Sequence, residues 1–483
     1  MNKTLVILII TIAITTLGAN AQGLLEISYK TDQSHYIVNG IEADNHSVYF
    51  AGLVEYSDHD SDGMLMKLEP CGDTIIRYFS CPNAITTMKG IVQMEANSFY
   101  TFGSYEDTIS DLHYASIFHC NENLETDLFR KYKIPTGFQE FGYVASVKND
   151  SLLFVLGEVF TPNYQGRSCI FTFNYNADSL DFVILDEGYS GGQRADDLEF
   201  NSDSTRLWLF GRHFNFLSSA ERASFDLDLN ILDFTPIDDI HDCLSVKWVN
   251  ECELVIGGRA LGDRDTNTDH YIAKLDTNMN DLSSILIGTP DTLDFAAWKR
   301  CMDFADPNHI FIGGTTDEEN VMGPSRPNLI MISKVDSDLN LKRTLIHGNG
   351  LWYYYIYTVI ATSDGGVILA GYTYDYESEP DHRDLYVLKL SADLFVDIPL
   401  TEAEQKAVVL PYLNPGTDQL NLKSTINKGQ LRIFDRSGLE IYTSEIHLGL
   451  NTIDTQSWAA GAYHYSVFDN KHLIDSGVWI KIQ

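Results

Sequence analysis

Short apolar runs that each end in glycine recur along most of the chain, about every fifty residues. The runs read SVYFAG, SFYTFG, LLFVLG, RLWLFG, ELVIGG, HIFIGG and GVILAG. Their closing glycines are Gly52, Gly103, Gly157, Gly211, Gly257, Gly313 and Gly371. Self-similarity at a regular period is the sequence signature of a repeat fold. The pattern therefore predicts seven copies of one small structural unit.

A second column of residues repeats with a matching period. Another strand-like run follows each first one, as in MLMKLE, YIAKLD and MISKVD, and ends on a polar residue. This column consists of Glu69, Asn121, Asn174, Asp228, Asp276, Asp336 and Ser391. Because the two columns keep step through the chain, each supports the count of seven independently.

Each unit holds four strand-sized runs, which in the last unit are YYIYTVIA, GVILAGYT, DLYVLKL and LFVDIPL. Turn sequences such as SDGG separate them. Four antiparallel strands per unit are typical of a propeller blade, whereas a stack of sandwiches needs larger units. We therefore predict an all-β fold with a seven-bladed β-propeller over residues 22–400. Residues 24–29 and 394–400 compete for the strand that closes the ring, and the sequence favours neither.

The pattern GGVILAGYTYD…DLYVLKL at residues 365–390 resembles the propeller repeats of proteins secreted by Bacteroidota. That resemblance implies a fold and no activity.

The N-terminus is consistent with export, because an apolar run over residues 4–17 follows Lys3 and precedes a small-residue cleavage pattern. We predict a signal peptide over residues 1–21, cleaved between Ala21 and Gln22. No later run reaches the length of a spanning helix, so no membrane span is expected in the mature chain.

Charge and cysteine content narrow the partners and the redox chemistry. The net charge of −35 argues against a nucleic-acid partner, which requires clustered Lys and Arg. It favours cations or basic partners.

An exported chain can oxidise its seven cysteines, but an odd number leaves at least one unpaired. Cys71 and Cys81 flank one short strand and could form a bridge, and several others fall within strands as small apolar residues.

The period stops after Pro399, and residues 401–407 are interpreted as a linker. Residues 408–483 contain strand-like runs separated by turns, which predicts a small β-sandwich. Its turns and strands contain Asn414, Pro415, Asp418, Gly438, Gly461, Tyr463 and Lys481. Through these residues the segment resembles the type A C-terminal sorting domain of the type IX (Por) secretion system. Leu413 and Gly416 depart from the usual pattern without removing the turn. An ordinary immunoglobulin-like adhesion module is the alternative.

That resemblance implies the type IX secretion machinery as a partner. It also implies signal-peptide export, translocation across the outer membrane, and then either release or attachment at the cell surface.

Alternating aspartates before a glycine make a candidate calcium loop of Asp58, Asp60 and Asp62, because several carboxylates can converge on one ion. The equivalent loop of the fifth unit offers Asp263, Asp265 and Asp269. Calcium is the one cofactor that the sequence indicates, and a solvated acidic loop is the alternative. Loops between second and third strands share one face of a propeller, so that face is expected to be acidic.

No nucleophile elbow, metalloprotease helix or phosphate-binding loop occurs in the chain. We therefore expect a secreted or surface-displayed module that binds an extracellular glycan or protein. One alternative is a polysaccharide hydrolase or lyase with carboxylates at the central channel, and another is a structural surface component. The aromatic run of residues 352–355 is assigned to core packing rather than to sugar stacking.

Overall fold

The computed structural model describes most of the chain as strands joined by turns. The described residues are 25–29, 31–57, 60–110, 112–134, 140–160, 166–185, 194–212, 220–237, 240, 242–261, 268–289, 292–316, 327–348, 350–375, 382–394, 409–412, 419–435, 439–459, 461–469 and 472–481. The chain divides into two compact units, Met1–Asp397 and Ile398–Gln483. The predicted signal peptide and its cleavage site at Ala21 and Gln22 lie outside the described residues.

The described residues of the first unit form seven antiparallel sheets, which we number in chain order. The described residues start with β1 (Leu25–Tyr29) and continue into sheet 1, which contains β2 (Ser34–Glu42), β3 (Val48–Ser57), β4 (Asp60–Leu68) and β5 (Thr74–Phe79). Sheet 2 contains β6 (Ala84–Thr86), β7 (Gly90–Glu95), β8 (Ser98–Asp107), β9 (Leu112–Asn121) and β10 (Thr126–Lys133). Sheet 3 contains β11 (Glu140–Lys148), β12 (Leu152–Phe160), β13 (Gly166–Asn174) and β14 (Ser179–Ile184).

The remaining four sheets follow the same plan. Sheet 4 contains β15 (Arg194–Phe200), β16 (Leu207–Arg212), β17 (Ala220–Phe225) and β18 (Ile231–Ile237). Sheet 5 contains β19 (Asp242–Asn250), β20 (Glu253–Leu261), β21 (Thr268–Asp276) and β22 (Asp281–Ile287). Sheet 6 contains β23 (Phe295–Ala296), β24 (Met302–Asp303), β25 (Ile310–Thr316), β26 (Leu329–Val335) and β27 (Leu341–His347). Sheet 7 contains β28 (Tyr353–Ala361), β29 (Val367–Tyr374) and β30 (Asp384–Leu390), and β1 joins it.

The first strand of each sheet contacts the first strand or strands of the next, and β28 contacts β2, so the contacts close a ring. Buried apolar clusters fill the seams between neighbouring sheets. At the seam between sheets 7 and 1, for example, Ile360 and Ile368 pack with Ile37 and Phe50. Radial packing of four-stranded sheets is the arrangement of a propeller. The prediction of an all-β propeller is confirmed.

The N-terminal strand closes the ring. β1 pairs antiparallel with β30, with Ile27 opposite Val387. Tyr386 in β30 donates a hydrogen bond of 2.9 Å to the Glu26 carboxylate. The last sheet thus takes its outermost strand from the other end of the propeller, which resolves the choice that the sequence left open.

The recurring glycines let the first strand come close to the second strand of its sheet. In sheet 1 the register shifts between Ile37 and Asn39, and a Cβ on Gly52 would lie 1.8 Å from the Tyr36 carbonyl oxygen. The same approach is 1.9 Å at Gly371. A β-bulge inserts one extra residue and displaces the local backbone, so only glycine fits opposite it. In sheets 5 and 6 the residues in this position are Gly258 and Gly314, one later than the sequence pattern indicated.

The polar column begins the turn between the third and fourth strands. Asp276 Oδ1 accepts the backbone N–H groups of Asn278 and Asn280 at 2.8 and 2.9 Å, which is an Asx turn. The fourth residue of the turn then has positive φ, as Met279 does (67°), and buries its side chain. In the fourth unit Asp226 makes these bonds, so the assignment of Asp228 to this column was wrong.

The second unit is a small sheet around its own core. Its strands are β31 (Val409–Tyr412), β32 (Gln419–Phe434), β33 (Glu440–Asp454), β34 (Gly461–Asp469) and β35 (His472–Lys481). All five strands join one hydrogen-bonded sheet, in which the long β32 pairs with β31 near its start and with β34 near its end. The β-sandwich and the boundaries at residues 400, 407 and 408 stay predictions.

Candidate functional site

The candidate calcium residues do not form a described cluster. Asp58, Asp263 and Asp265 lie outside the described residues. β4 begins at Asp60, so that residue and Asp62 belong to a strand rather than to a loop.

The antiparallel ladder continues through the acidic residues and pairs Asp62 with Val54. Asp62 accepts a hydrogen bond of 2.9 Å from Tyr56. Gly63 gives room to the Met88 side chain, which would lie 2.9 Å from an added Cβ, and makes no turn. Asp269 lies within β21. Among the described residues no group of three His, Cys, Asp or Glu could hold a metal, so calcium binding stays a prediction.

The cysteines serve packing rather than cross-linking. All seven are free thiols, so Cys71 and Cys81 are not joined. Four are buried, namely Cys120, Cys169, Cys243 and Cys301. Burial raises the pKa of Cys120 and of Cys301 to about 12. Such thiols remain protonated and act as small apolar side chains.

A row of four aromatic rings lies at the end of the ring where the first strands begin and the second strands end. We call this end the mouth. Trp298 stacks on Tyr355 (5.7 Å between centroids, 5° between planes), and Tyr355 stacks on Tyr372 (5.0 Å, 3°). Tyr36 meets Tyr372 edge-on at 5.1 Å. All four side chains are partly exposed. This aromatic row therefore runs without a break across sheets 6, 7 and 1.

Polar groups accompany the aromatic row. The Tyr36 hydroxyl donates a hydrogen bond of 2.6 Å to Glu55, and burial together with that carboxylate raises the pKa of Tyr36. Burial likewise raises the pKa of Tyr357 to about 12. The Arg383 guanidinium lies 3.9 Å from the ring centre of Tyr374 and 5.7 Å from that of Tyr372. At neutral pH the mouth thus offers phenol hydroxyls, a carboxyl group and a guanidinium beside aromatic surface.

An interruption in sheet 6 places Trp298. The segment between β23 and β24 leaves its own sheet and forms hydrogen bonds with sheet 7. There the backbone N–H of Trp298 donates to the backbone carbonyl of Ile356 at 3.2 Å. In the same segment Lys299 extends to the opposite side of the ring, and its Nζ donates to Tyr143 O in sheet 3 at 3.3 Å. Sequence reasoning missed this segment because its residues belong to neither repeat column.

The aromatic run of residues 352–355, which the sequence assigns to core packing, lies in two different environments. Tyr353 and Tyr354 are core residues with 2% and 1% exposure. Tyr355, the next residue, instead belongs to the aromatic row.

Two carboxyl groups lie deeper in the ring on β15. Asp197 accepts N–H bonds from Val246 of sheet 5 (2.7 Å) and from Leu198 (2.8 Å). Glu199 accepts one from Phe200 at 2.8 Å. Enclosure by the ring raises the pKa of Asp197 to about 6 and that of Glu199 to about 7, although backbone donors and the charge of Arg300 oppose the shift.

Replacing Glu199 by glutamine is expected to stabilise the protein above pH 7. A carboxyl group whose folded pKa exceeds its unfolded pKa of about 4.5 disfavours folding once it ionises, so its penalty grows from about pH 4.5 to 7. Glutamine keeps the acceptor for Phe200 N–H without the charge. We expect the free energy of unfolding of the variant to exceed that of the wild type by about 1–2 kcal/mol at pH 8 and to equal it at pH 4. Denaturant titrations across this range measure the difference, and Glu251→Gln at an exposed turn is the control. A gain in stability that does not change with pH would contradict this expectation.

Three of the residues matched to the sorting domain can be placed in the second unit. Tyr463 is buried beside Trp458 and Trp479, at 5.1 and 5.9 Å between ring centres. Lys481 is 6% exposed, and its Nζ donates a hydrogen bond of 2.7 Å to the Thr455 carbonyl oxygen. Gly461 pairs with Lys481 across β34 and β35. These residues support the fold of the unit. Asn414, Pro415, Asp418 and Gly438 lie outside the described residues.

Comparison with known proteins identifies the C-terminal part of the chain. Residues 411–481 match the secretion system C-terminal sorting domain. This domain marks proteins that the type IX system carries to the cell surface or the extracellular space, so the protein is handled by that machinery. No curated protein sequence matches the chain. Across the described residues, no helix is long and apolar enough to cross a membrane.

Solved structures similar to the chain share little sequence with it. A puromycin hydrolase structure has 10% identity and a TM-score of 0.48, with 89% of this chain and 58% of that chain covered. The chain therefore spans under two thirds of that protein. The β-propeller domain of the Trilobed protease from Pyrococcus furiosus has 9% identity and a TM-score of 0.41, with 76% and 98% covered.

Proposed function

We propose that the propeller is a secreted binding module that holds a saccharide chain at the mouth of the ring. The aromatic row formed by Trp298, Tyr355, Tyr372 and Tyr36 is the observation that carries this proposal. Partly exposed aromatic side chains provide large apolar contact area while their polar ends retain hydrogen bonds. Three members of the row, Tyr36, Tyr355 and Tyr372, belong to hydrogen-bonded strands, so little order would have to be gained on binding.

The chemistry of the mouth favours a saccharide over a protein ligand. Sugars present apolar C–H groups next to closely spaced hydroxyls, and the mouth mixes aromatic surface with Glu55 and Arg383. A carboxylate and a guanidinium each form paired hydrogen bonds with two adjacent polar atoms. The net charge of −35 favours a neutral or basic sugar polymer over an acidic one.

Replacing Trp298 by alanine is expected to weaken saccharide binding at least about tenfold, the equivalent of about 1.4 kcal/mol. The variant loses the ring at one end of the row and the support for Tyr355. Tyr36→Phe keeps its ring and loses only the hydroxyl bonded to Glu55, so a smaller loss is expected. Glycan-array binding followed by calorimetry on the retained glycan measures both.

Phe129→Ala is the matched control, because Phe129 is a partly exposed aromatic residue (37%) on the outermost strand of sheet 2. Unchanged glycan affinity in Trp298→Ala, with the fold verified by circular dichroism, contradicts the proposal. Binding of a peptide or protein but of no glycan, lost in Trp298→Ala, would keep the site and replace the ligand class.

Cleavage of an extracellular polysaccharide is a second candidate function, favoured by the pKa of Glu199 near 7. A carboxyl group that retains its proton near neutrality can act as a general acid. The ties of Asp197 to two backbone N–H groups favour a structural role for it. Release of reducing ends from a retained glycan, abolished in Glu199→Gln, would establish catalysis, and stable glycan would exclude it.

We further propose that residues 22–400 form the exported propeller, with a linker at 401–407 and the sorting domain at 408–483. Removal of residues 408–483 is expected to stop secretion and to leave the folded propeller in the periplasm. Immunoblots of the periplasmic and extracellular fractions measure this. Unaltered secretion of the truncated chain would contradict the division, and deletion of 401–407 alone tests the linker.

A further inference from the structure

A polar pocket opens between sheets 4 and 5, on the far side of those sheets from the mouth. Its volume is about 240 Å³. The walls come from the first turn and the last three strands of sheet 4 and from the last turn of sheet 5. The lining residues that matter here are Arg206, Trp208, Arg222, Ser224, Asp233 and Thr277.

The pocket exists because one repeat position carries a short side chain. In sheets 5 and 6 the position on the third strand is lysine. Lys274 Nζ donates to Ser337 O at 3.1 Å, and Lys334 Nζ donates to Ala392 O at 2.7 Å, each in the last turn of the next sheet. The register places Ser224 at this position in sheet 4. Serine cannot span the seam, so the space before Thr277 stays open.

Positive charge collects around this space. The Arg222 guanidinium lies 4.8 Å from the Trp208 ring centre and bonds Asp233 at 2.8 Å. Arg206 is close enough that its charge lowers the pKa of Arg222, after the larger effect of burial and against the influence of Asp233. Two guanidinium groups thus face one carboxylate, and that carboxylate is 56% exposed. A net positive pocket stands out on a chain whose net charge is −35.

Two donors in the pocket have no hydrogen-bond partner. They are Nε of Arg222 and Oγ of Ser224, in residues that are only 6% and 1% exposed. A buried polar group without a partner lowers the stability of the folded state, and this cost is recovered when a ligand accepts the hydrogen bond. Both donors belong to side chains that line the pocket.

We propose that this pocket binds a small oxyanion, namely a carboxylate, sulfate or phosphate group. Guanidinium groups hold such anions through paired, charge-assisted hydrogen bonds. The site lies away from the mouth and does not depend on the proposed saccharide binding. The negative charge of Asp233 repels an anion. Because Asp233 pairs with Arg222, it neutralises one of the two guanidinium charges and leaves the other.

Calorimetry on the mature secreted protein tests the proposal, with sodium sulfate and sodium acetate titrated at constant ionic strength against sodium chloride. We expect one saturable site per chain for at least one of the two anions. The decisive variant is Ser224→Lys, which introduces the lysine of sheets 5 and 6 and closes the pocket against Thr277. It is expected to lose at least tenfold in affinity although it adds a positive charge.

Arg206→Gln at the exposed rim is expected to weaken binding about three- to tenfold, and it keeps the test decisive if Ser224→Lys does not fold. Arg130→Gln makes the same charge change on the outermost strand of sheet 2 and is expected to bind like the wild type. No saturable binding by the wild type overturns the proposal. Equal or tighter binding by Ser224→Lys, or unchanged affinity in Arg206→Gln, overturns it as well.

Discussion

Replacing Gly371 by alanine is expected to lower the free energy of unfolding by at least about 3 kcal/mol. The added Cβ would lie 1.9 Å from the Tyr355 carbonyl oxygen and 3.1 Å from Ile356 Cα. These are backbone atoms, so no side-chain rotation relieves the clash. The bulge is also held from the other side, because Ile356 O accepts the Trp298 N–H group. Denaturant unfolding followed by tryptophan fluorescence measures the loss.

Gly142→Ala is the matched control, since Gly142 lies in the first strand of sheet 3 and an added Cβ would meet nothing closer than 3.6 Å. Alanine in a compatible backbone conformation stabilises a protein by about 0.4–1 kcal/mol through the unfolded chain. We expect this variant to be as stable as the wild type or slightly more stable. Equal stability of the Gly371 and Gly142 variants would show that the first-strand bulge is not as tight as described.

Replacing Ile27 by aspartate is expected to cost about 2–4 kcal/mol, because it places a charge where β1 packs against the core of sheets 7 and 1. Ile27 lies opposite Val387 in the closing strand pair. The loss would affect ring closure itself, so the thermal midpoint of the whole propeller should fall. Differential scanning calorimetry of the mature protein measures it.

Ser28→Asp is the control within the same strand. Ser28 is exposed, whereas Ile27 is partly buried, so the two substitutions introduce the same charge on opposite faces. We expect the Ser28 variant to unfold within about 0.5 kcal/mol of the wild type. Equal effects of the two substitutions would mean that β1 does not pair in the described register.

The repeat columns in the sequence were sufficient to predict the all-β propeller, since both mark geometry that every sheet shares. The glycine column marks the bulge and the polar column marks the Asx turn. The misassigned residues, Gly257, Gly313 and Asp228, lie one or two positions from the correct ones, where two adjacent glycines or two nearby aspartates satisfy the same pattern. Only the carbonyl approach and the turn hydrogen bonds distinguish the two choices.

The candidate sites could not be predicted in the same way, because they depend on residues that the closed ring brings together. Trp298 meets Tyr355 only because a segment of sheet 6 crosses to sheet 7. The anion pocket arises where Ser224 replaces a lysine, and that consequence requires knowing that the lysine reaches the next sheet. The acidic motif, by contrast, matches a calcium-loop pattern in the sequence, although its described part is a strand.

The most direct test of the proposed function is a crystal structure of the secreted protein with an oligosaccharide selected on the glycan array. We expect the sugar at the mouth, in contact with Trp298, Tyr372 or Tyr36 and hydrogen-bonded to Glu55 or Arg383. A sugar bound on any other face of the propeller, or an array on which the wild-type protein retains no glycan, would contradict the proposal.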